Sequence, residues 1–188
     1  EPLVNEGNTR NYGADITLEQ YMSRGFYGQV NGSLFKSEYR GLDKKWRSQL
    51  YDRGYMVKVL GGKEWMLGKR KQNVFNVSVK YTLQGGLRHT PIDVDAMKAN
   101  VAAGIINDQP IYKENEAMSL QFSPTSILDL TISYKINCKK VSHTIAFEGV
   151  NILQHETPYA ERFDFATGEL RVDKSGISLP NIYYRIDF

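Results

Sequence analysis

The sequence predicts an all-β fold, an antiparallel transmembrane β-barrel segment of about seven strands with short periplasmic turns and long extracellular loops. Three observations predict it: strict two-residue alternation of apolar and polar side chains in several stretches, a regular exchange of short and long connections, and large aromatics gathered near strand ends. Successive side chains of a strand point to opposite faces, so an apolar residue at every second position marks a strand with one apolar face.

The clearest stretch is 74–84. Phe75, Val77, Val79, Tyr81 and Leu83 alternate with Asn76, Ser78, Lys80, Thr82 and Gln84, a pattern that a helix would scatter around its circumference. The stretch 128–136 repeats it, with Leu128, Leu130, Ile132, Tyr134 and Ile136 against Asp129, Thr131, Ser133 and Lys135. At 12–19, Tyr12, Ala14, Ile16 and Leu18 alternate with Gly13, Asp15, Thr17 and Glu19. The chain closes on Ile182, Tyr184, Ile186 and Phe188 against Tyr183, Arg185 and Asp187. Three weaker strands fill the gaps: 26–36 through Phe26, Val30 and Leu34; 55–65 through Tyr55, Val57, Val59 and Trp65, with Lys63 breaking the face; and 141–151 through Val141, Ile145 and Phe147.

The turns near Ser23-Arg24-Gly25, Leu67–Lys71 and Asn137–Lys140 are short, whereas the connections 39–53, 86–125 and 152–179 are long. Membrane barrels connect their strands in this way, with tight turns at one end and long loops at the other. On this reading Phe26, Trp65, Phe75 and Tyr134 form one lipid-facing aromatic belt and Tyr12, Tyr55 and Tyr81 the other, because amphipathic rings settle at a membrane–water boundary. The chain has 12 Tyr, 8 Phe and 2 Trp. It has no run of about 18 apolar residues, so no helical span is expected.

Composition excludes several classes. A net charge of +3 from scattered basic residues is not a nucleic-acid footprint. Cys138 is a lone cysteine, which excludes a disulfide framework. His89, His143 and His155 lack metal-ligand spacing, although His89 and His155 lie in long loops that could meet. The acidic residues Asp93, Asp95, Asp108, Glu114 and Glu116 do not have the spacing of a calcium loop. Gly85-Gly86 reads as a strand-to-loop hinge. No catalytic motif, cofactor or metal site is expected, and the chain reads as a non-enzyme. The start at Glu1-Pro2-Leu3 reads as that of a processed chain or a piece of a longer one.

The closing segment Tyr183-Tyr184-Arg185-Ile186-Asp187-Phe188 resembles the C-terminal signature of outer-membrane proteins, with Ile182, Tyr184, Ile186 and Phe188 as the assembly signal. More of the chain resembles TonB-dependent outer-membrane receptors of the Bacteroidetes type. The resemblance lies in Asn5-Glu6-Gly7-Asn8, Asn11 to Glu19, Gly32-Ser33-Leu34-Phe35-Lys36-Ser37-Glu38-Tyr39, Gly62-Lys63-Glu64-Trp65, Tyr81-Thr82-Leu83-Gln84-Gly85-Gly86, Thr90-Pro91-Ile92-Asp93 and Phe165-Ala166-Thr167-Gly168-Glu169. It implies the last part of a 22-stranded barrel in the bacterial outer membrane, with the plug domain absent. It also implies import of a scarce or large ligand such as a siderophore or glycan. The implied partners are outer-membrane lipid, the barrel-assembly machinery, and the plug domain and TonB.

Two further readings remain open: a small self-contained outer-membrane barrel acting as adhesin or enzyme, and a soluble β-sandwich or lipocalin-like binding protein. Polar residues on the opposite strand faces (Asp15, Thr17, Glu19, Asn76, Ser78, Lys80, Asp129, Thr131, Lys135, Arg185 and Asp187) would line a barrel interior. Trp46, Tyr51, Tyr112, Tyr159, Phe163 and Phe165 are the candidate ligand contacts in the long loops, where their rings could stack on a sugar or chelate.

Overall fold

A computed structural model describes residues 7–105 and 109–188. The seven alternating stretches each form a long strand, and together these make one antiparallel sheet. In chain order they are β1 (Asn8–Ser23), β2 (Phe26–Arg40), β4 (Tyr55–Leu67), β5 (Asn73–Gln84), β8 (Thr125–Asn137), β9 (Ser142–Val150) and β12 (Leu179–Asp187). A short strand, β3 (Trp46–Ser48), pairs with the outer end of β2. Arg24 and Gly25 both have positive φ, the geometry of a two-residue hairpin whose twist matches its strands.

The sheet is open. Its order is β1-β2-β4-β5-β8-β9-β12, with β1 and β12 as the two edges. This overturns the expected barrel segment. The spine has an odd number of strands and every neighbour is antiparallel, so β1 and β12 run in the same direction and cannot close on each other in the antiparallel manner of a barrel. With the barrel segment fall the 22-stranded receptor, its import role, its outer-membrane location and its lipid, assembly-machinery and TonB partners, since the described strands form one larger and two smaller open sheets. Among the described residues no helix is long and apolar enough to cross a membrane.

Cross-strand registers gather the apolar residues on one side. One row runs Leu18, Val30, Val59, Tyr81, Leu128, and another Trp65, Phe75, Tyr134, Ile145, Tyr184. The belt residues Tyr12, Phe26, Tyr55, Trp65, Phe75, Tyr81 and Tyr134 all belong to this face. So do Ile182, Tyr184 and Ile186, which stand opposite Phe147, Ile145 and His143 as the outermost strand of an ordinary ladder. Lys63 does not interrupt the face, because its ammonium lies 4.1 Å from the Phe26 ring and 5.2 Å from that of Trp65. Among the described residues no second sheet packs on this side, where Ile182 is 71% exposed and Leu34 68%; of the expected readings, the all-β alternative outside the membrane barrel fits these open sheets better than the barrel does. On the opposite face Tyr27 lies across Gly62 and donates to Asn76 Oδ1 at 2.9 Å, filling the space that a side chain at 62 would need.

Apart from Ala146 in β9, the buried apolar residues among those described lie beyond the sheet, in a crown built by the long connections. Residues 85–124 contain β6 (Arg88–His89), helix α1 (Val94–Ala102), a 3-10 turn (Glu114–Glu116) and β7 (Leu120–Gln121), with β6 and β7 paired. Residues 151–178 contain a hairpin of β10 (Thr157–Asp164) and β11 (Glu169–Ser175). Both segments read as irregular loops from sequence. Ile92, Met97 and Phe163 are buried together, with Val94, Ile111 and Phe165 packed against them. Asp93 caps α1 by accepting from the Ala96 N–H at 3.0 Å.

Candidate functional site

The crown is tied to the sheet by hydrogen bonds and ion pairs, several of them made by one carboxylate. Asp52 is completely buried. It accepts from Lys36 Nζ at 2.8 Å and from the Ser37 backbone N–H at 2.9 Å, and Arg88 Nε stands 3.8 Å away. Burial opposes its charge, but hydrogen bonds from Lys36, Ser48 and Ser37 outweigh that and hold its pKa below the usual carboxylate value. Its neighbour Arg53 donates to the Gly85 carbonyl at 2.8 Å. The Gly85 Cα passes so close to the Arg53 carbonyl that any Cβ would overlap it, and Gly86 meets the Phe122 carbonyl in the same way. Gly85 is therefore a close-approach point between the loop 41–54 and the segment 85–124, and Gly86 one between the two ends of that segment. On the other side, Asn151 donates its N–H to Asp129 Oδ1 at 3.0 Å, and Asp129 pairs with Lys80 at 2.8 Å, tying the third connection to the sheet.

On this base lie two cavities that share Glu161. The first, of about 370 Å³, is lined by Leu50, Arg88, His89, Tyr112, Phe122, Tyr159 and Glu161 among others. The second, of about 410 Å³, is lined by Met97, Pro110, Glu161, Arg162, Phe163 and Phe165. In the first cavity His89 stacks on Phe122 with ring centres 4.0 Å apart. Tyr112 is held in place by bridge pairing of its backbone with Ile92 and by the Lys113 N–H donating to the Pro91 carbonyl at 3.0 Å. Tyr159 falls at the register shift between Pro158 and Ala160 in the β10–β11 hairpin, and such a bulge re-aims a side chain. Both tyrosines stay about half exposed, at 47% and 50%.

His89 Nε2 lies 4.0 Å from Glu161 Oε2, beyond hydrogen-bond reach. His89 Nδ1 and Glu161 Oε2 are buried without a hydrogen-bond partner. Burial lowers the His89 pKa from its ordinary value, and the Glu161 charge only partly offsets this, so the ring is neutral at neutral pH.

Of the six aromatic contacts expected from sequence, the fold brings Tyr112 and Tyr159 to one cavity and Phe163 and Phe165 to the other. Phe163 and Phe165 meet edge to face at 5.4 Å, and Phe163 is part of the buried core. Tyr51 lies apart, beside Asn11, Asp15 and Lys36. Trp46 is taken up by the guanidiniums of Arg10, at 4.2 Å, and Arg40, at 5.1 Å. The histidines do not meet: His143 bonds the Tyr184 hydroxyl at 2.6 Å, and the His155 backbone is held by Asn151. Among the described residues no cluster of histidine, cysteine or carboxylate side chains could hold a metal ion, and Asp108 lies outside the described residues. Arg88, His89, Phe122 and Glu161 were not among the expected contacts. Leu120 and Phe122 alternate over only three residues, too short to stand out, and nothing local in the sequence marks Arg88, His89 or Glu161.

The large sheet and two small ones define the class, an all-β domain built on open antiparallel sheets. Comparison with protein-family models, with curated proteins and with solved structures finds no match to this chain.

Proposed function

We propose that this chain is a binding protein, not an enzyme, and that the aromatic cavity of the crown receives a ring-bearing ligand of about monosaccharide size. The observation that carries this reading is the convergence of Tyr112 and Tyr159, from connections far apart in sequence, on one cavity of about 370 Å³. That volume lies within the usual range for small-molecule sites, which are mostly apolar with a few fixed polar groups. Here Tyr112, Tyr159, Phe122 and Leu50 supply the apolar walls, and Arg88 and Glu161 the polar ones. The anchoring of all three connections to the sheet supports a pre-formed site, which lowers the entropy cost of binding. The Thr90 hydroxyl is occupied in holding the Met118 N–H at 3.1 Å, a structural duty consistent with binding.

Saturation-transfer NMR with a panel of mono- and disaccharides tests the proposal. At least one sugar should receive saturation from the protein's aromatic protons. Tyr112→Ala and Tyr159→Ala should each weaken that sugar's affinity about tenfold, the loss of roughly one good ring contact. Absence of transfer to every sugar at millimolar concentration, or affinities unchanged in both variants, would overturn it.

A further inference from the structure

Glu161 is the wall shared by the two crown cavities, and the protein leaves its charge unmet. Its side chain is 13% exposed, and Oε2 is buried without a hydrogen-bond partner. Among the described residues its ion-pair neighbour is His89, a ring 4.0 Å away that is neutral at neutral pH. The two guanidiniums that line the cavities face other carboxylates. Arg88 donates to the Asp52 carbonyl at 3.2 Å and stands 3.8 Å from its carboxylate, and Arg162 pairs with Asp173 at 2.5 Å. A carboxylate withdrawn from water without a counter-charge is costly, so a cation brought by a ligand gains more here than beside an exposed acid. The rings suit the same guest: Tyr112, Tyr159 and Phe122 line the first cavity, and an aromatic face attracts a cation. A metal ion needs several donors at once, and no such cluster exists among the described residues.

We propose that the ligand of the first cavity is an amino sugar, whose ring meets Tyr112 and Tyr159 and whose ammonium is held by the Glu161 carboxylate. This assignment rests on the reading of that cavity as a site for a ring of monosaccharide size, and adds the charge of the ligand. An ammonium has three N–H donors and no acceptor, so it can donate to the carboxylate while its charge faces the rings. A hydroxyl in the same place brings no charge, and an N-acetyl group brings bulk without charge. An acidic sugar fits less well, because its carboxylate would be set near that of Glu161 while Arg88 is already turned to Asp52. The chain's net charge of +3 gives no general attraction for a cation, so a preference for the amine reports on the site.

Titration of the whole chain at about pH 7, followed through its aromatic NMR signals, tests this with matched sugars. The probes are glucose, glucosamine, N-acetylglucosamine and glucuronate, and the same four forms in the galactose and mannose series. In at least one series the amine should bind about tenfold or more tighter than both its neutral parent and its N-acetyl form, the worth of one charge-assisted hydrogen bond. Glu161→Gln keeps the shape of the side chain and removes its charge. In that variant the advantage of the amine should fall to about twofold or less, while the parent sugar keeps its affinity. Neutral sugars as tight as their amines in every series, or an acidic sugar bound best, would overturn the assignment and leave the sugar site standing. Binding of no member of the panel would overturn both. An undiminished advantage of the amine in a folded Glu161→Gln variant would also overturn it, since the charge would then be met elsewhere. The matched sugars on the unaltered chain decide the matter even if the variant does not fold.

Discussion

The sheet and the crown are made by different physics. The sheet's side chains repeat every two residues and its ladders pair nearly every backbone group of its inner strands, yet among the described residues nothing covers its apolar face, where Ile182, Leu34 and Ile16 are mostly exposed. The crown is assembled from pieces as short as the two residues of β6 or β7, yet it holds the buried Ile92, Met97 and Phe163 and the fully buried Asp52. A large residue in the sheet is therefore held mainly by its backbone, whereas one in the crown is held by its side chain. The same substitution should have different consequences in the two regions.

The largest contrast is expected for truncation of apolar side chains. Met97→Ala empties a site that is 3% exposed and should cost the crown about 2–4 kcal/mol, from lost burial plus the cavity left behind. Ile182→Ala, on the sheet edge and 71% exposed, should change stability by less than about 0.5 kcal/mol. Chemical denaturation followed by far-UV circular dichroism, with hydrogen exchange to locate the loss, measures both. Similar costs for the two would mean that the sheet's apolar face is covered in solution.

Next in size comes the buried carboxylate. Asp52→Ala would leave the Ser37 N–H without its acceptor and Lys36 and Arg88 without their counter-charge, and breaking a buried pair costs about 3–5 kcal/mol. Lys36 is a third exposed and can turn to water, so about 2–3 kcal/mol is expected. Faster exchange should appear at Asp52–Tyr55 and Leu87–His89 while β4 and β5 stay protected. Two glycines then refine the contrast. Gly85→Ala drives a Cβ into the Arg53 carbonyl, a backbone group that must shift, and should cost about 2–3 kcal/mol. Gly62→Ala meets the Tyr27 ring, which can swing aside, and should cost about 1 kcal/mol.

The same division governs what could be read from the sequence. All seven long strands were legible because period-two alternation is a local property: Phe75 to Leu83 share a face whatever lies next to them. Alternation gives the face of a strand and not the closure of a sheet, so part of a barrel was expected where the described strands form open sheets. The crown was opaque for the opposite reason. Asp52 reads as an ordinary loop acid until Lys36 and Arg88 are brought to it from β2 and β6. Gly85 and Gly86 read as a hinge, but they are contact points with Arg53 and Phe122. Helix α1 does start on a capping residue, Asp93, just after Thr90-Pro91-Ile92, but its low amphipathicity hid it. The hairpin alternation of Leu170 and Val172 was present in the sequence and masked by the charged residues around it. Of the cavity, Tyr112 and Tyr159 were anticipated as exposed loop aromatics, whereas His89 and Glu161 needed the fold.

The smallest expected effect is a titration, and it too separates the two regions. His89 is buried as the neutral ring, with a pKa below its ordinary 6.5. Between the folded and unfolded values the unfolded chain binds more protons, so stability falls as pH falls. The contribution of neutral His89 is thus complete above pH 6.5 and is lost progressively as pH drops below it. Asp52 adds a second loss at lower pH, beginning below its ordinary 3.8, where the folded carboxylate stays ionised and the unfolded one is protonated. Exchange of crown amides should therefore rise from pH 7.5 to 5.5, after correction for the intrinsic rate, while the inner strands β4, β5 and β8 hold. His89→Gln should abolish the upper of the two steps and leave the lower one. If the upper step survives that substitution, a group other than His89 titrates in the crown.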